Sequence, residues 1–178
     1  HYGQPPDALA HCIGSVLVAP LHRTTLEQYQ ACMRANLDSA FHTLAAWVGA
    51  LREAKRSGAA VFVSSAAARI GTPNHEAVAA AKAGLEGLVR AAASTYAGAG
   101  LRINAVAPGL MDTPASAGLI ASPAAREAVA RQYPLPGIGT PEELADLMTW
   151  LLSPAAARVT GPIWSLDAGF TAIRPLVR

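Results

Sequence analysis

The sequence is poor in cysteine, aromatic residues and charge, and it contains no long hydrophobic run. Two cysteines, Cys12 and Cys32, are too few for a disulfide framework or a zinc site of several cysteines. A reducing, cytoplasmic compartment is therefore expected. No apolar run reaches the roughly 18–20 residues that span a bilayer, and the polar first residues do not resemble a signal peptide. We therefore expect no membrane partner.

Charged residues make up 15% of the 178 residues, and the net charge is +2. The Lys and Arg residues are scattered rather than clustered, which argues against a nucleic-acid partner. Apolar residues make up 52% of the chain. This composition favours one compact domain over residues 1–178 and argues against disorder.

Short apolar runs alternate with helical patterns along the chain. Strands are predicted at residues 8–14, 60–63, 101–107 and 163–166. Helices are predicted from Leu26 to about Ala54 with a capping box of Thr24 and Glu27, from cap residue Asn74 to about Ala97, and from cap residue Thr140 to Leu152. This alternation predicts an α/β fold, a Rossmann-like open parallel sheet with flanking helices and right-handed crossovers.

Such sheets bind ligands at the carboxyl ends of their strands. The predicted ends carry small or hydroxyl residues, at Gly14, Ser64–Ser65, Pro108–Gly109 and Asp167–Ala168. Residues 110–139 lack a steady period and contain one short helical pattern near 124–131. A loop this long inside a compact domain is usually a functional lid. Its few charges indicate a largely apolar or uncharged small-molecule substrate.

Six motifs, in order and with matching spacing, are similar to the second half of a short-chain dehydrogenase/reductase. They are Arg34-Ala35-Asn36-Leu37, the Ser64–Ser65 strand end, the Lys82 helix, Asn104 to Thr113, Gly139 to Ala145, and Thr160 to Gly169. The resemblance covers about residues 8–170. The family's first strand and its glycine-rich Gly-x-x-x-Gly-x-Gly turn are missing from it, which predicts an N-terminally truncated domain.

The resemblance implies an oxidoreductase that uses NAD or NADP on an alcohol or carbonyl substrate. Ser65, Lys82 and Asn36 stand at the family's catalytic positions. The implied cofactor contacts are Gly14, Lys82, Pro108, Gly109, Leu110 and Thr113. Val78, four residues before Lys82, stands where the family has its catalytic tyrosine, and valine cannot transfer a proton. The alternative is a catalytically silent or non-redox derivative that acts as a binding or assembly subunit.

His75 is the candidate replacement for the tyrosine, because it lies two helical turns before Lys82 on the same face and an imidazole can relay a proton. It also fits a plain helix start, with Asn74 as the cap and Glu76 as a first-turn acid. His11 and His22 are expected to be surface or capping residues.

Ordinary structural roles compete at the other positions. Ser65 fits a local cap, Lys82 a solvated helix position, and Asn36 a helix bend or a bond to neighbouring backbone. Pro108–Gly109 would end a strand in any fold.

The strand at residues 8–14 is expected to be an apolar sheet edge that invites pairing with another chain. The alanine-rich helix over residues 75–97 matches the family's dimerising helix, so the resemblance implies a homo-oligomer.

Overall fold

A computed structural model describes residues 3–174 and contains one parallel four-stranded sheet. The strands are β1 (Ala8–His11), β2 (Gly58–Val63), β3 (Leu101–Pro108) and β4 (Ile163–Leu166). Their spatial order is the chain order, β1-β2-β3-β4. The predicted open parallel α/β sheet is therefore confirmed.

Five α-helices connect or flank the strands: α1 (Leu26–Met33), α2 (Ser39–Glu53), α3 (Glu76–Tyr96), α4 (Pro123–Ala130) and α5 (Pro141–Leu152). A π-helical stretch, Arg34–Asp38, joins α1 to α2, so the predicted long helix over 26–54 is continuous but irregular. Isolated π-turns of this kind are frequent at functional sites. This one contains Asn36.

Two predicted helix caps are wrong by one residue. Thr25 caps α1 and forms the capping box with Gln28, while the hydroxyl of Thr24 donates instead to the carbonyl of Pro20. His75 occupies the N-cap position of α3, and Asn74 lies outside it with a positive φ of 63°. The Thr140 cap of α5 is confirmed, since its side chain and that of Glu143 form a reciprocal capping box.

The sheet is covered on both faces because its strands alternate their side chains between two cores. Ala60, Phe62 and Ile103 pack with apolar residues of α2 and α3 on one face. Val61 and Val106 pack with Met148 and Leu151 of α5 on the other. The two layers leave the carboxyl ends of the strands open, and this end of the sheet holds the site described below.

β1 is shorter than predicted and pairs only with β2 within residues 3–174. It ends at His11 because the following residues turn toward Asn36, whose amide oxygen accepts the N–H of Ser15 at 3.2 Å. β1 is therefore a sheet edge, as expected. Across residues 3–174, no helix combines the length and the hydropathy needed to cross a bilayer.

Candidate active site

A cavity of about 400 Å³ lies at the carboxyl ends of β1, β2 and β3. Seven of the predicted site residues line it together: Gly14, Asn36, Ser65, Lys82, Pro108, Gly109 and Thr113. They come from five separate segments of the chain, and the parallel sheet brings them to one edge. Two predicted residues, His75 and Leu110, line an adjoining cavity instead.

Asn36 is fully buried and fixes the turn that follows β1. Its amide nitrogen donates to the backbone oxygens of Cys32 and Ser15, at 2.9 and 3.2 Å, and its oxygen accepts the N–H of Ser15. Both structural roles considered for Asn36, a helix irregularity and backbone bonding, are therefore present. The hydrogen bonds from Asn36 to Ser15 also keep the neighbouring Gly14 beside the cavity.

Gly14 has no room for a side chain. A Cβ there would lie 2.9 Å from the Asn36 amide oxygen and 3.3 Å from the Lys82 Nζ. The bare backbone of Gly14 therefore forms one wall of the cavity beside an amide and an amine.

Lys82 is only 6% exposed, which excludes the solvated helix position considered for it. Its Nζ donates to the carbonyl oxygen of Val63 at 2.7 Å, at the last residue of β2. Burial is the main cause that lowers the pKa of Lys82 to about 8, and the nearby thiols of Cys32 and Cys12 oppose this shift weakly. No Asp or Glu lines the cavity to stabilise the ammonium form.

Ser65 lines the cavity and also makes a local bond, since its Oγ accepts the N–H of Ala67 at 3.1 Å. Its neighbour Ser64 also lines the cavity, and its hydroxyl donates to the buried carboxylate of Glu86 at 3.0 Å. Arg69 and Arg90 flank the same carboxylate at 3.4 and 3.6 Å. Glu86 thus anchors the end of β2 to α3.

The adjoining cavity, about 320 Å³, shares Ser65, Val78, Pro108 and Gly109 with the first. His75 lines it, and its Nδ1 lies 2.7 Å from the carbonyl oxygen of Pro73. Because a carbonyl oxygen only accepts, Nδ1 carries a proton and Nε2 is the nitrogen left for a ligand. Val78 is 6% exposed and lies at the boundary of the two cavities.

Tyr133 is a residue that the sequence patterns did not indicate. Its hydroxyl accepts the N–H of Leu110 at 2.7 Å, and it lines the same cavity as His75 and Ser65. Burial is the main cause that raises the pKa of Tyr133 above its usual value. In the sequence Tyr133 is a single tyrosine in a loop without a regular period. No local pattern there predicts where its side chain lies.

His11 corrects the expectation of a surface or capping residue. It is 3% exposed, its ring lies 5.4 Å from that of Phe62, and its Nε2 has no partner among the described residues. Burial, followed by the charge of Lys82, lowers the pKa of His11. The ring therefore stays neutral and serves the packing of β1 on β2.

Known proteins resemble the chain over almost its whole length. A family profile described as enoyl-(acyl carrier protein) reductase matches residues 2–171. Cis-4-hydroxycyclohexanecarboxylate dehydrogenase of Sinomonas cyclohexanicum is 42% identical over 87% of this chain and 61% of its own length. A Xanthobacter autotrophicus protein named inactive 2-(S)-hydroxypropyl-CoM dehydrogenase 2 is 35% identical over 95% of this chain and 75% of its own.

Solved structures agree in fold. A short-chain dehydrogenase/reductase oxidoreductase from Burkholderia thailandensis is 32% identical with a TM-score of 0.88, covering 96% of this chain and 67% of its own. 4-Hydroxyisoleucine dehydrogenase complexed with NADH gives a TM-score of 0.91 at 23% identity, covering 96% and 70%. This chain spans less than two thirds of the Sinomonas relative.

Proposed function

The chain belongs to the short-chain dehydrogenase/reductase family. From that premise we propose that it acts as an NAD(P)-dependent oxidoreductase with an atypical acid/base group. Its substrate would be a small alcohol or carbonyl compound. The main observation behind this proposal is that one cavity brings the predicted site residues together. It is lined by Gly14, Asn36, Ser65, Lys82 and the Pro108–Gly109 turn. NAD(P), when bound, supplies the hydride acceptor or donor.

The residues present fit the nicotinamide and ribose part of the cofactor. A Cβ on Gly14 would fill the cavity wall, so the bare backbone there allows the close approach that a dinucleotide needs. Lys82 offers ammonium donors beside it, and Thr113 lines the same cavity with a hydroxyl-bearing side chain. We propose Lys82 and Gly14 as ribose contacts and Pro108 to Leu110 with Thr113 as contacts to the nicotinamide amide.

Ser65 would orient the substrate oxygen, and His75 would exchange the proton that Val78 cannot. The Nδ1–H of His75 is fixed on the Pro73 carbonyl, which leaves Nε2 to accept a proton from an alcohol or, as the imidazolium, to donate one to a carbonyl oxygen. Tyr133 is a second candidate, because its hydroxyl accepts from Leu110 and keeps its own proton available to the same cavity.

The substrate class follows from the adjoining cavity. Its walls are mostly apolar, and within residues 3–174 no Lys or Arg lines it that would hold a carboxylate or a phosphate. Val16, Leu110, Leu119, Val129 and Phe170 provide the apolar surface. We propose an uncharged alcohol or ketone, with residues 110–139 acting as the lid over it. The Sinomonas relative is named for a cyclic alcohol that carries a carboxylate. Among the described residues, this cavity has no Lys or Arg to bind such a carboxylate.

A homo-oligomer through α3 is part of the proposal. Five small residues form an exposed stripe along this helix, Ala80, Ala83, Gly84, Gly87 and Ala91. Small side chains let a second helix approach closely.

The proposal is tested by titrating the chain with NADH and with NADPH, following fluorescence and heat. We expect saturable binding of one of them, weakened about tenfold or more in Gly14→Ala, because the new Cβ displaces Asn36 or Lys82. Gly49→Ala is the matched control, since a Cβ at that exposed helix position meets nothing within 4 Å. Absence of binding of both nucleotides by the intact gene product would overturn the oxidoreductase proposal.

A silent or non-redox derivative is the second candidate function. Val78 at the position of the family's tyrosine favours it, and a relative named as inactive exists. The two candidates differ in turnover: nucleotide binding without hydride transfer to any alcohol or ketone would support the silent derivative. His75→Ala with unchanged turnover would remove His75 as the proton carrier.

A further inference from the structure

Lys82 is one of only two lysines in the chain, and the two have opposite surroundings. Lys55 is exposed after the end of α2, whereas Lys82 is 6% exposed and its Nζ faces the main cavity. A single acceptor among the described residues, the Val63 carbonyl oxygen, holds that Nζ at 2.7 Å. One hydrogen bond therefore fixes the position of the amine, and the rest of the amine stays open to the cavity.

The cavity around Lys82 favours a neutral amine. Among the described residues its lining contains no carboxylate, and Val78 and Met148 add apolar surface. No salt bridge involves Lys82 within residues 3–174. The pKa of Lys82 falls to about 8 through burial, so roughly a tenth of the amine is unprotonated at pH 7 and half at pH 8. A neutral lysine amine in an apolar pocket is a nucleophile.

Room for a reactant exists where the family has a phenol. Val78 lies one helical turn before Lys82, and its short side chain ends at the boundary of the two cavities. A tyrosine ring would occupy this space and bring a hydroxyl to the amine. With valine there, the space beside Nζ is open and apolar.

We propose that Lys82 captures small apolar aldehydes or ketones as an imine in this cavity. The nitrogen lone pair forms a bond to the carbonyl carbon, the carbon–oxygen double bond opens, and the oxygen leaves as water with both protons of the amine. Nothing is oxidised or reduced, and no further reactant is needed. The oxygen of the incoming carbonyl lies within the cavity that holds the Ser65 hydroxyl and the Asn36 amide.

This reaction needs no dinucleotide and goes beyond the proposed oxidoreductase function. The two share Nζ, so a bound nucleotide would protect Lys82 from carbonyl compounds. Imine formation, in turn, would remove the Lys82 ammonium that we propose as a hydrogen-bond donor to the ribose.

The test is reductive trapping with benzaldehyde and sodium cyanoborohydride at pH 8, without nucleotide. Intact-mass spectrometry counts the adducts, and peptide mapping locates them. We expect modification of Lys82 at least about tenfold faster than that of Lys55, with a rate that rises from pH 6 to pH 8 and then levels. In urea the two lysines should react alike, because the pocket is gone.

Lys55→Met should keep the fast adduct, and Lys82→Met should lose it while far-ultraviolet dichroism reports that the chain is folded. The wild-type comparison of the two lysines stands even if Lys82→Met does not fold. Labelling of Lys82 no faster than that of Lys55 in the folded chain overturns the proposal. Since no nucleotide is present and the readout is mass, this result is separate from success or failure of the NADH and NADPH titrations.

Discussion

The side chains around the cavity differ in how firmly hydrogen bonds hold them. Asn36 makes bonds with both ends of its amide, and Ser65 is tied to the following turn. Lys82 donates to one acceptor, the Val63 carbonyl oxygen, and the side chain of Val78 makes no hydrogen bond because it is apolar. The chemistry of the pocket therefore depends on the residues at positions 78 and 82.

Restoring a phenol at position 78 tests whether the rest of the site is competent. We expect Val78→Tyr to raise carbonyl reduction by about 10²–10⁴, the usual value of a positioned proton donor. Val78→Phe is the control, because it adds the ring without the hydroxyl. Steady-state rates with NADH or NADPH and an apolar ketone measure both. Equal rates in the two variants would show that the site lacks more than a proton donor.

The buried amine of Lys82 makes stability depend on pH. Its pKa in the folded chain, about 8, lies below the 10.5 of an unfolded lysine, so the unfolded chain binds more protons between these values. Stability therefore rises with pH through this window, and the contribution is lost as pH falls through 8. Relative to Lys82→Met, the wild-type free energy of unfolding should gain on the order of 3 kcal/mol from pH 8 to 10.5. Urea denaturation measures it.

Lys55→Met serves as the control in the same denaturation series, because this exposed side chain should give no such change. A pH-independent difference between wild type and Lys82→Met would contradict the assignment of a shifted amine.

At the scale of elements, the anchor between β2 and α3 is a buried carboxylate. Glu86 accepts from Ser64 and is flanked by Arg69 and Arg90. Glu86→Ala should lower the free energy of unfolding by about 2 kcal/mol, because it leaves the buried Ser64 hydroxyl without its acceptor. Glu127→Ala is the control: its ion pair with Arg131 is exposed, and about 0.5 kcal/mol or less is expected. Similar losses in both variants would contradict the anchor.

Sequence patterns predicted these elements well where the period is strong. The strands and the helices α3 and α5 agree with their apolar periods to within two or three residues. The cap of α1 was missed because two adjacent threonines were equally suitable, and that of α3 because Asn74, the better cap by residue type, takes a positive φ one residue before the cap position. Thr24 and Thr25 both carry a hydroxyl, and the choice depends on the Pro20 carbonyl, which takes Thr24. The π-turn at Arg34–Asp38 has no signal in a helical period.

For the whole molecule, the exposed small-residue stripe of α3 predicts association. Gly87→Arg places a long side chain in the stripe at an exposed position where the new Cβ meets nothing within 4 Å. It should also favour the helix by up to about 1 kcal/mol. We expect it to convert an oligomer to a monomer in sedimentation velocity. Gly118→Arg, on the lid, should leave the oligomer intact. An oligomer that persists in Gly87→Arg would exclude α3 as the interface.

The site could be predicted in part because a parallel sheet brings known strand ends together. Gly14, Ser65 and Pro108–Gly109 were located by this rule alone. Tyr133 was not, because it reaches the cavity from an aperiodic loop and meets Leu110 only after the whole chain has folded. Nor could the sequence distinguish the buried, packed His11 from a surface histidine.

The spatial order of the strands also has a consequence for synthesis on the ribosome. Each strand pairs with the next one along the chain, over separations of roughly 40–60 residues. Every pairing therefore waits for one complete crossover to emerge, and none waits for a strand made much later. We expect these four strands to pair in the direction of translation, with the pocket closed only when the lid and α5 have followed β3.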